Sequence, residues 1–288
     1  MKLIDTHTHT WGRDTPELPW AADLLPPEWE GPYTYEDLLA DMDRLGIDEA
    51  VTVTTPLYGR GERANEYTMR GIEAHPDRLY GVGIMDFFPQ DGDLRERVRR
   101  VVGHERMLGI RMHAALEYET IPTEVNRTGD WILEEALAPV WEEVAAQDAA
   151  VFVFPKAEQL SYVAELAADH PDTDIVIDHM AWPDETTDPD EDPWATFEAV
   201  AEHENVYVKV SSLPRSAGRD WPYADLHGYV RNLLEWFGPE RLMLGSDYPW
   251  MDSWADYGDC LSWIDGVDFL SRRDRAYLSH RTFHDLHL

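Results

Sequence analysis

Short apolar segments recur along the chain, and segments with helical periodicity separate them. The apolar segments are five or six residues long, and several are rich in β-branched side chains, as is typical of buried parallel strands. The predicted strands cover residues 2–7, 50–54, 80–85, 108–112, 150–154, 174–178, 206–210 and 241–245. Regular alternation of strands and helices favours a parallel sheet.

The segments between these strands place apolar residues on one helical face. In residues 35–45, Leu38, Leu39, Met42 and Leu45 recur at helical spacing. Further helices are predicted over residues 64–74, 93–103, 131–147, 158–169, 194–204 and 223–237, with a closing helix over 270–287. Eight strands with intervening helices predict an α/β protein with a (β/α)8 barrel, the TIM-barrel fold. No linker or internal repeat interrupts the pattern, so we expect a single domain over residues 1–288.

The composition excludes some classes of partner. The 288 residues carry a formal net charge of -33, and 43% of them are hydrophobic, so a sizeable core is available. A field this negative repels nucleic acid and anionic membranes, and we therefore expect a small-molecule partner. Only Lys2, Lys156 and Lys209 are lysines. So many acids with so little lysine favour a halophilic protein, whose salt-rich surroundings screen the self-repulsion. An ordinary acidic cytosolic protein is the alternative.

The cysteine and hydropathy patterns indicate a cytoplasmic protein. Cys260 is the only cysteine, so no disulfide can form within the chain. No apolar run approaches the ~18 residues of a membrane span, and the first strand begins with no signal peptide ahead of it. The sequence leaves open whether the protein forms a homo-oligomer.

A long proline-bearing loop follows the first strand. Residues 12–33 contain five prolines, and Trp11, Trp20 and Trp29 lie in or beside them. A βα loop of this length lies over the active face of a barrel. Its tryptophans either cap a pocket or only pack the loop down, and the sequence does not separate these two interpretations.

Two segments near opposite ends of the chain carry the main chemical signal. Asp5, His7 and His9 alternate along the first strand, so their side chains point to the same face. Two imidazoles on one face can reach a single metal ion or a single substrate. The last strand ends just before Asp247, and closing a barrel brings the first and last strands side by side. The His-x-His pair and the distant aspartate together predict an enzyme.

The other strand ends add proton carriers and anion-binding side chains. Active sites of such barrels lie at the carboxyl ends of the strands. The side chains found there are Tyr58 after the second strand, Arg111 and His113 at the fourth, Asp178 and His179 at the sixth, and Lys209, Ser211, Ser212 and Arg215 at the seventh. No serine stands in a Gly-x-Ser-x-Gly elbow, and no glycine-rich phosphate loop is present. The set favours proton transfer and anion binding.

Seven pieces of the sequence, taken in order, resemble the amidohydrolase superfamily. They are IDTHTHTW at 4–11, LLADMDRLGIDEAV at 38–51, HPDRLYGVG at 75–83, GIRMH at 109–113, IVIDHMAWP at 175–183, NVYVKVSSLPR at 205–215 and FGPERLMLGSDYPW at 237–250. They cover nearly the whole chain and are typical of the amidohydrolase-related branch, often called amidohydrolase 2. The resemblance implies a (β/α)8 barrel of the metal-dependent-hydrolase type that hydrolyses or decarboxylates small organic acids.

The resemblance also separates two chemistries within this branch. Its decarboxylases hold a divalent metal with the two histidines of the first strand, a histidine at the end of the fifth strand and the aspartate of the eighth. Here the fifth strand ends in Phe154, Pro155 and Lys156, without a histidine. Loss of one ligand from a site that usually needs three or four predicts weak or absent metal binding. By resemblance the chain is closer to the sugar-acid and pyrone-dicarboxylate lactonases, some of which need no metal.

The resemblance implies roles for the four central side chains. Asp247 would take a proton from the attacking water, or would ligate a metal together with His7 and His9. If a metal is bound, we expect zinc. His179 would assist proton transfer.

The remaining candidates are assigned to substrate binding. Arg111 and Arg215 suit substrate carboxylates, because the guanidinium fork matches carboxylate geometry, although a salt bridge inside the barrel is the alternative for each. His113 and Tyr58 are weaker candidates for the same task. Lys209 is predicted to be a buried charge paired with an acid at a strand end.

The sequence thus predicts a hydrolase that opens a lactone, or a related cyclic ester, of a small carboxylated or sugar-derived acid by water attack. The alternative is a metal-dependent decarboxylase of a small unsaturated or aromatic carboxylic acid, which predicts a bound metal with an unusual fourth ligand. A non-catalytic binding barrel is disfavoured because His7, His9, His179 and Asp247 occur together. The substrate itself is left open.

Overall fold

The computed structural model describes residues 2–21, 31–59, 61–89, 92–115, 129–184 and 186–286. Within them, eight parallel strands form one sheet that follows the order of the chain. The strands are β1 (Ile4–Thr8), β2 (Glu49–Val53), β3 (Leu79–Gly83), β4 (Met107–Met112), β5 (Ala150–Val153), β6 (Ile175–Ile177), β7 (Val206–Val210) and β8 (Leu242–Leu244). Each strand overlaps its predicted segment, and the (β/α)8 barrel is confirmed.

The barrel closes at a seam between β8 and β1. The other neighbouring strands pair through parallel ladders. At the seam the closing backbone bonds lie beyond the end of β8: Asp247 N donates to His7 O at 2.8 Å, and His9 N donates to Tyr248 O at 2.8 Å. Closure of the barrel therefore depends on the same short segments that carry predicted site residues.

Helices cover the outside of the sheet. The α-helical segments of the described residues are α1 (Tyr35–Leu45), α2 (Asn65–Ala74), α3 (Leu94–Val102), α4 (Ala138–Ala146), α5 (Leu160–Asp169), α6 (Phe197–Val200), α7 (Leu213–Ser216), α8 (His227–Phe237), α9 (Tyr257–Ser262), α10 (Arg272–Ala276) and α11 (Thr282–Asp285). α1 begins at a capping box formed by Thr34 and Asp37, and it ends at Gly46, whose φ of 72° suits glycine.

Three predicted helices differ clearly from the structure. The segment predicted over 194–204 is α-helical only at Phe197–Val200, after a 3₁₀ turn at Trp194–Thr196. The segment predicted as one helix over 131–147 becomes α-helical only at Ala138, because Pro139 lacks an N–H and fits only the first turn of a helix. The closing helix predicted over 270–287 is divided into α10 and α11 by a π-helical turn at Tyr277–Arg281. Its last predicted residue lies outside the described residues.

Apolar side chains fill the amino end of the barrel. Phe283 and Leu286, from the last helix and the residue after it, pack against side chains of the strands. The strand residues in this cluster are Ile4, Val51, Val53, Val82, Leu108, Ala150, Phe152, Val176 and Met243. This end contributes packing, while Arg111 and Lys209, the buried cations of the strands, pair with Asp178 towards the opposite end. Among the described residues, none of the helices has the length and apolar character that a membrane span requires.

Candidate active site

The four central side chains converge at the carboxyl end of the barrel. His7 and His9 lie at the end of β1, His179 follows β6, and Asp247 follows β8. Side-chain atoms of His7, His179 and Asp247 that can bind a metal all lie within 4.8 Å of one another, and the three residues are buried. His9 joins them, because its Nε2 lies 3.0 Å from Asp247 Oδ1.

Asp247 is the centre of this cluster. His9 Nε2 contacts its Oδ1, and Ser212 Oγ donates to its Oδ2 at 2.9 Å. The Nε2 atoms of His7 and His179 lie 3.9 Å and 4.0 Å from the same carboxylate. Burial alone would raise the pKa of Asp247, but the surrounding imidazoles outweigh burial and hold this pKa well below its usual range. The carboxylate is therefore ionised and available as a base or a ligand.

His9 is held at both ring nitrogens. Its Nδ1 lies 2.7 Å from the carbonyl oxygen of Val53 on the neighbouring strand. A carbonyl oxygen can only accept a hydrogen bond, so Nδ1 carries a proton and donates it. The ring is thereby oriented with Nε2 towards Asp247.

A buried ion cluster lies beside His7. Asp178 Oδ1 is 3.2 Å from both His7 Nδ1 and Lys209 Nζ, and its Oδ2 accepts from Arg111 Nε at 2.8 Å. Burial alone would raise the pKa of Asp178, but these three neighbours outweigh burial and hold the pKa well below the usual range. Lys209 is thus paired with a strand-end acid, and Arg111 forms an ion pair inside the barrel.

A left-handed turn presents His179 to the cluster. The φ angles of His179, Met180, Ala181 and Trp182 lie between 52° and 55°. Non-glycine residues adopt this region at a cost of roughly 1–2 kcal/mol each, and such strain concentrates at functional sites. His179 Nδ1 lies 2.9 Å from Ser211 Oγ, and burial lowers the pKa of His179 to about 4. The imidazole is therefore neutral at pH 7.

One wall of the site is formed by the aromatic rings of Phe154 and Trp182, and the guanidinium group of Arg215 lies at its edge. Phe154, at the position where the resemblance would place a fifth-strand histidine, packs edge-on against His179 with ring centroids 4.8 Å apart. Phe154 also stacks on Trp182 at 5.0 Å. The guanidinium carbon of Arg215 lies 3.6 Å from the centre of the Trp182 ring. Among the described residues, no carboxylate lies within ion-pair distance of Arg215.

The loop after β1 forms a second aromatic wall. Trp11 stacks on Trp250 with ring centroids 4.8 Å apart, and Trp250 lies 6.1 Å from the ring of His9. Trp20 donates from its indole nitrogen to the Gly12 carbonyl, which holds the loop together. Both tryptophans pack the loop, and Trp11 reaches the cluster only through Trp250. Trp29 lies outside the described residues.

Tyr58 and His113 occupy different surroundings. Tyr58 is buried in the apolar cluster under the loop, with Trp11 and Leu18, and its ring lies 6.0 Å from that of Tyr67. The ring of His113 packs edge-on against Phe154 at 4.6 Å, on the aromatic wall of the site. The structure therefore brings His113 next to the cluster and places Tyr58 beneath the loop.

The cluster has the donor atoms of a divalent metal site. His7 Nε2 is buried and has no hydrogen-bond partner among the described residues, although it faces Asp247 and His179. Two imidazole nitrogens and one carboxylate oxygen are ligands that zinc prefers, and three protein ligands with an open position are typical of catalytic zinc. His7, His179 and Asp247 therefore fit a metal, whereas the sequence predicts His7, His9 and Asp247 as its ligands; His9 lies against the same carboxylate. β5 contributes Phe154 in place of a further ligand.

Some contacts were not predicted from the sequence. The sequence identifies Asp178, Ser211 and Ser212 only as strand-end residues and assigns them no role. The stacking of Arg215 on Trp182 and the contact of Tyr257 with Asp5 had no signal in the sequence. Both contacts join segments that are far apart in the chain, so no local pattern reports them.

Comparisons with known proteins agree with this geometry. The sequence profile of the amidohydrolase family matches residues 4–277 of the chain. A 4-sulfomuconolactone hydrolase from Rhizobium radiobacter is 27% identical over 258 residues, which cover 85% of this chain and 75% of that protein. An L-fucono-1,5-lactonase from Burkholderia ambifaria is 34% identical over 142 residues, 47% of this chain and 48% of that protein. The crystal structure of a Burkholderia multivorans amidohydrolase with bound Zn has a TM-score of 0.76 at 23% identity, over 99% of both chains, and shares the fold.

Proposed function

The chain belongs to the amidohydrolase family, and from that premise we propose that it is a hydrolase that opens a lactone, or a related cyclic ester, of a small carboxylated or sugar-derived acid. The observation that carries the proposal is Asp247, an ionised carboxylate held among three imidazoles at the carboxyl end of the barrel. A relative named as a lactone hydrolase that matches most of the chain supports the same reaction.

Asp247 is the proposed general base. Water attacks the carbonyl carbon of the lactone, and Asp247 accepts a proton from that water. Ser212 donates to one oxygen of the carboxylate and His9 Nε2 lies 3.0 Å from the other, so these contacts orient the carboxylate before the substrate arrives. A carboxylate with a lowered pKa is a weak base towards free water, so the reaction also needs a polarised carbonyl group.

His7 is the proposed source of that polarisation. Its Nδ1 faces a donor, Lys209 Nζ at 3.3 Å, and an acceptor, Asp178 Oδ1 at 3.2 Å. With Lys209 donating to Nδ1, the opposite nitrogen of His7 carries the proton and donates it to the carbonyl oxygen. With Asp178 accepting from Nδ1, the opposite nitrogen presents the lone pair that a metal takes. A buried lysine beside the ring also favours negative charge on the substrate oxygen.

His7, His179 and Asp247 are the residues proposed to hold a divalent metal. The chemistry that such an ion supplies is Lewis-acid polarisation of a carbonyl oxygen. Zinc suits this ligand set best. We propose weak binding, because β5 brings Phe154 to the site where a further ligand would stand.

When no metal occupies the cluster, His179 is proposed to deliver a proton to the leaving oxygen as the ring opens; in a metal-bound enzyme its Nε2 would be a ligand and could not carry that proton. Its imidazole is neutral, because burial lowers its pKa to about 4, so it can accept a proton and release it again. Nε2 lies 4.0 Å from Asp247 Oδ2, the proposed proton source, a separation that one water can bridge, and Nδ1 is anchored at Ser211 Oγ. The left-handed turn keeps the ring in that position.

The two arginines predicted to bind substrate carboxylates are proposed to act differently. Arg111 is buried and its Nε is taken by Asp178. Arg215 is half-buried, stacks on Trp182 and pairs with no carboxylate among the described residues. We therefore assign the carboxylate of the substrate to Arg215, with His113 as a further contact on the same wall.

A pair of arginine variants tests this assignment. Arg215→Met should raise KM for a carboxylated lactone about 10-fold to 100-fold and change kcat less, because the ion pair exists in ground state and transition state alike. Arg231→Met is the matched control, since this exposed guanidinium lies 4.0 Å above Phe269, away from the site. Equal KM values for the two variants would show that Arg215 does not bind the carboxylate of the substrate.

The acidic composition leads to a proposal about the environment. With 57 acidic and 24 basic residues, self-repulsion is large in dilute buffer. We propose that the enzyme works in a salt-rich cytoplasm, where screening shortens that repulsion.

The function is tested by assaying two reactions side by side. The purified protein, with and without added Zn²⁺, is given a panel of carboxylated unsaturated lactones and aldonolactones, and ring opening is followed as proton release. The same preparation is given small unsaturated and aromatic carboxylic acids, and CO₂ release is followed. Lactone opening without CO₂ release is the expected result. CO₂ release without lactone opening would transfer the enzyme to the decarboxylase class.

A further inference from the structure

Asp5 is a buried carboxylate to which the proposed chemistry gives no task. It lies two residues before His7, is inaccessible to solvent, and has no cation within ion-pair distance among the described residues. Burial raises the pKa of Asp5 to about 6. An acid in this position is costly to the fold, so its contacts call for a physical explanation.

The two oxygens of Asp5 bind three different segments. Oδ1 accepts from His7 N at 3.1 Å and from Ser246 N at 2.9 Å. Oδ2 accepts from the hydroxyl group of Tyr257, the first residue of α9, at 2.9 Å. One carboxylate thus joins the backbone of His7 to the residue immediately before Asp247, and Tyr257 fixes its other oxygen.

These bonds lie where the barrel has no β-ladder. Ser246 Oγ adds a bond to the His7 carbonyl at 3.2 Å. The strands approach so closely that a Cβ on Gly245 would stand 3.0 Å from the Cβ of His7. Side chains, together with two backbone bonds, therefore set how β1 and the end of β8 lie against each other.

We infer that Asp5, anchored by Tyr257, is a positioning residue that sets the spacing between His7 and Asp247 across the seam. Its kinetic consequence rests on the proposed lactone hydrolysis. A carboxylate has two acceptor oxygens and can accept from all three donors at once, whereas a hydroxyl group has one oxygen and an apolar side chain has none. A misplacement of about 1 Å between reacting groups can cost roughly 10²-fold in rate.

Tyr257→Phe removes only the hydroxyl group that anchors Asp5. The ring stays stacked on Tyr248, where the two centroids are 4.5 Å apart with an interplanar angle of 4°. We expect kcat for lactone opening to fall about 10-fold with KM changed less than about 2-fold, because the catalytic geometry alters while substrate contacts remain.

Tyr229→Phe is the matched control. Tyr229 is also a buried tyrosine; its hydroxyl group donates to the Thr187 carbonyl at 2.8 Å and contacts Thr187 Oγ1 at 2.9 Å, and it makes none of the bonds that join β1 to the end of β8. Its loss should lower the melting temperature and leave kcat unchanged. A Tyr257→Phe enzyme that also loses only melting temperature would overturn the inference.

Variants of Asp5 provide a second measurement. Asp5→Asn keeps an oxygen for the two backbone amides and an NH₂ group that can donate to the Tyr257 oxygen, so kcat should fall only about 10-fold. Asp5→Ala removes all three hydrogen bonds, so kcat should fall about 10²-fold. Partial rescue by asparagine supports positioning, whereas equal kcat values for wild type and Asp5→Asn contradict it. If Asp5→Ala does not fold, the Tyr257→Phe and Asp5→Asn enzymes decide the matter.

Crystal structures separate this inference from the proposed function. If the wild-type enzyme opens no lactone, the proposed function fails, and the positioning claim is then decided by geometry alone. The distance from His7 Nε2 to Asp247 Oδ1, 3.9 Å here, should change in Tyr257→Phe and stay constant in Tyr229→Phe. An unchanged distance in both variants would overturn the inference.

Discussion

At the amino end of the barrel, Phe283 and Leu286 close an interior made of apolar strand residues, whereas at the carboxyl end the same sheet buries Asp178, Lys209 and Asp247. Apolar burial stabilises a fold by roughly 25 cal/mol per Å² without demanding an exact partner. A buried charge stabilises only if its partners stand in good geometry. The comparison indicates that stability is concentrated at one end and chemistry, with its strain and desolvation, at the other.

The largest effect is expected at the carboxyl end. Asp247→Asn keeps the shape of the side chain and can still accept from Ser212, but the amide cannot take a proton from water. Steady-state kinetics should show kcat lowered by roughly 10²–10⁴ in a protein that circular dichroism shows to be folded. Near-normal turnover in this variant would eliminate Asp247 as the base. It would also contradict the assignment of the chemistry to the carboxyl end of the barrel.

The complementary effect is expected at the amino end. Phe283→Ala leaves a cavity in the apolar cluster, and its ring contact with Tyr80, at 5.0 Å, is lost. The free energy of unfolding should fall by about 3–5 kcal/mol, measured by urea titration. The kcat of the folded enzyme should stay within about 2-fold of wild type, since packing changes do not reach the base. A large loss of kcat with intact stability would show that the two ends are coupled.

The two ends also differ in how far the sequence predicted them. Strands are visible as apolar segments, and the periodicity of their residues places His7, His9 and Asp247 at the same end. The left-handed turn at His179–Trp182 could not be predicted, because non-glycine residues rarely adopt that conformation and no residue type signals it. Contacts such as Tyr257 with Asp5 depend on how distant segments pack, which a single sequence does not report.

A smaller effect should follow from relieving backbone strain. Ala181 has a φ of 54°, and Ala181→Gly removes the clash of its Cβ with the backbone, so the free energy of unfolding should rise by about 1 kcal/mol. Ala164→Gly, in the middle of α5, is the matched control and should lower the free energy of unfolding by about 1 kcal/mol. Both values come from urea unfolding. A loss of stability in Ala181→Gly would show that the turn is not strained.

Salt should act on the whole surface with the smallest effect. Because the net charge is -33, raising KCl from dilute to molar should increase the melting temperature by roughly a few degrees as self-repulsion is screened. Phe283→Ala should show the same slope from a lower starting point, since its defect is apolar. A melting temperature that stays flat or falls over this range would contradict the halophilic proposal.

The most direct test of lactone hydrolysis at this site follows the oxygen of the attacking water. The wild-type enzyme is given a carboxylated lactone in water labelled with heavy oxygen, and the product is analysed by mass spectrometry beside the Asp247→Asn enzyme. Water attack at the carbonyl carbon predicts a ring-opened product that has gained one labelled oxygen, located in the new carboxylate, with the signal greatly reduced in Asp247→Asn. A product that has lost CO₂ and carries no labelled oxygen would contradict the account.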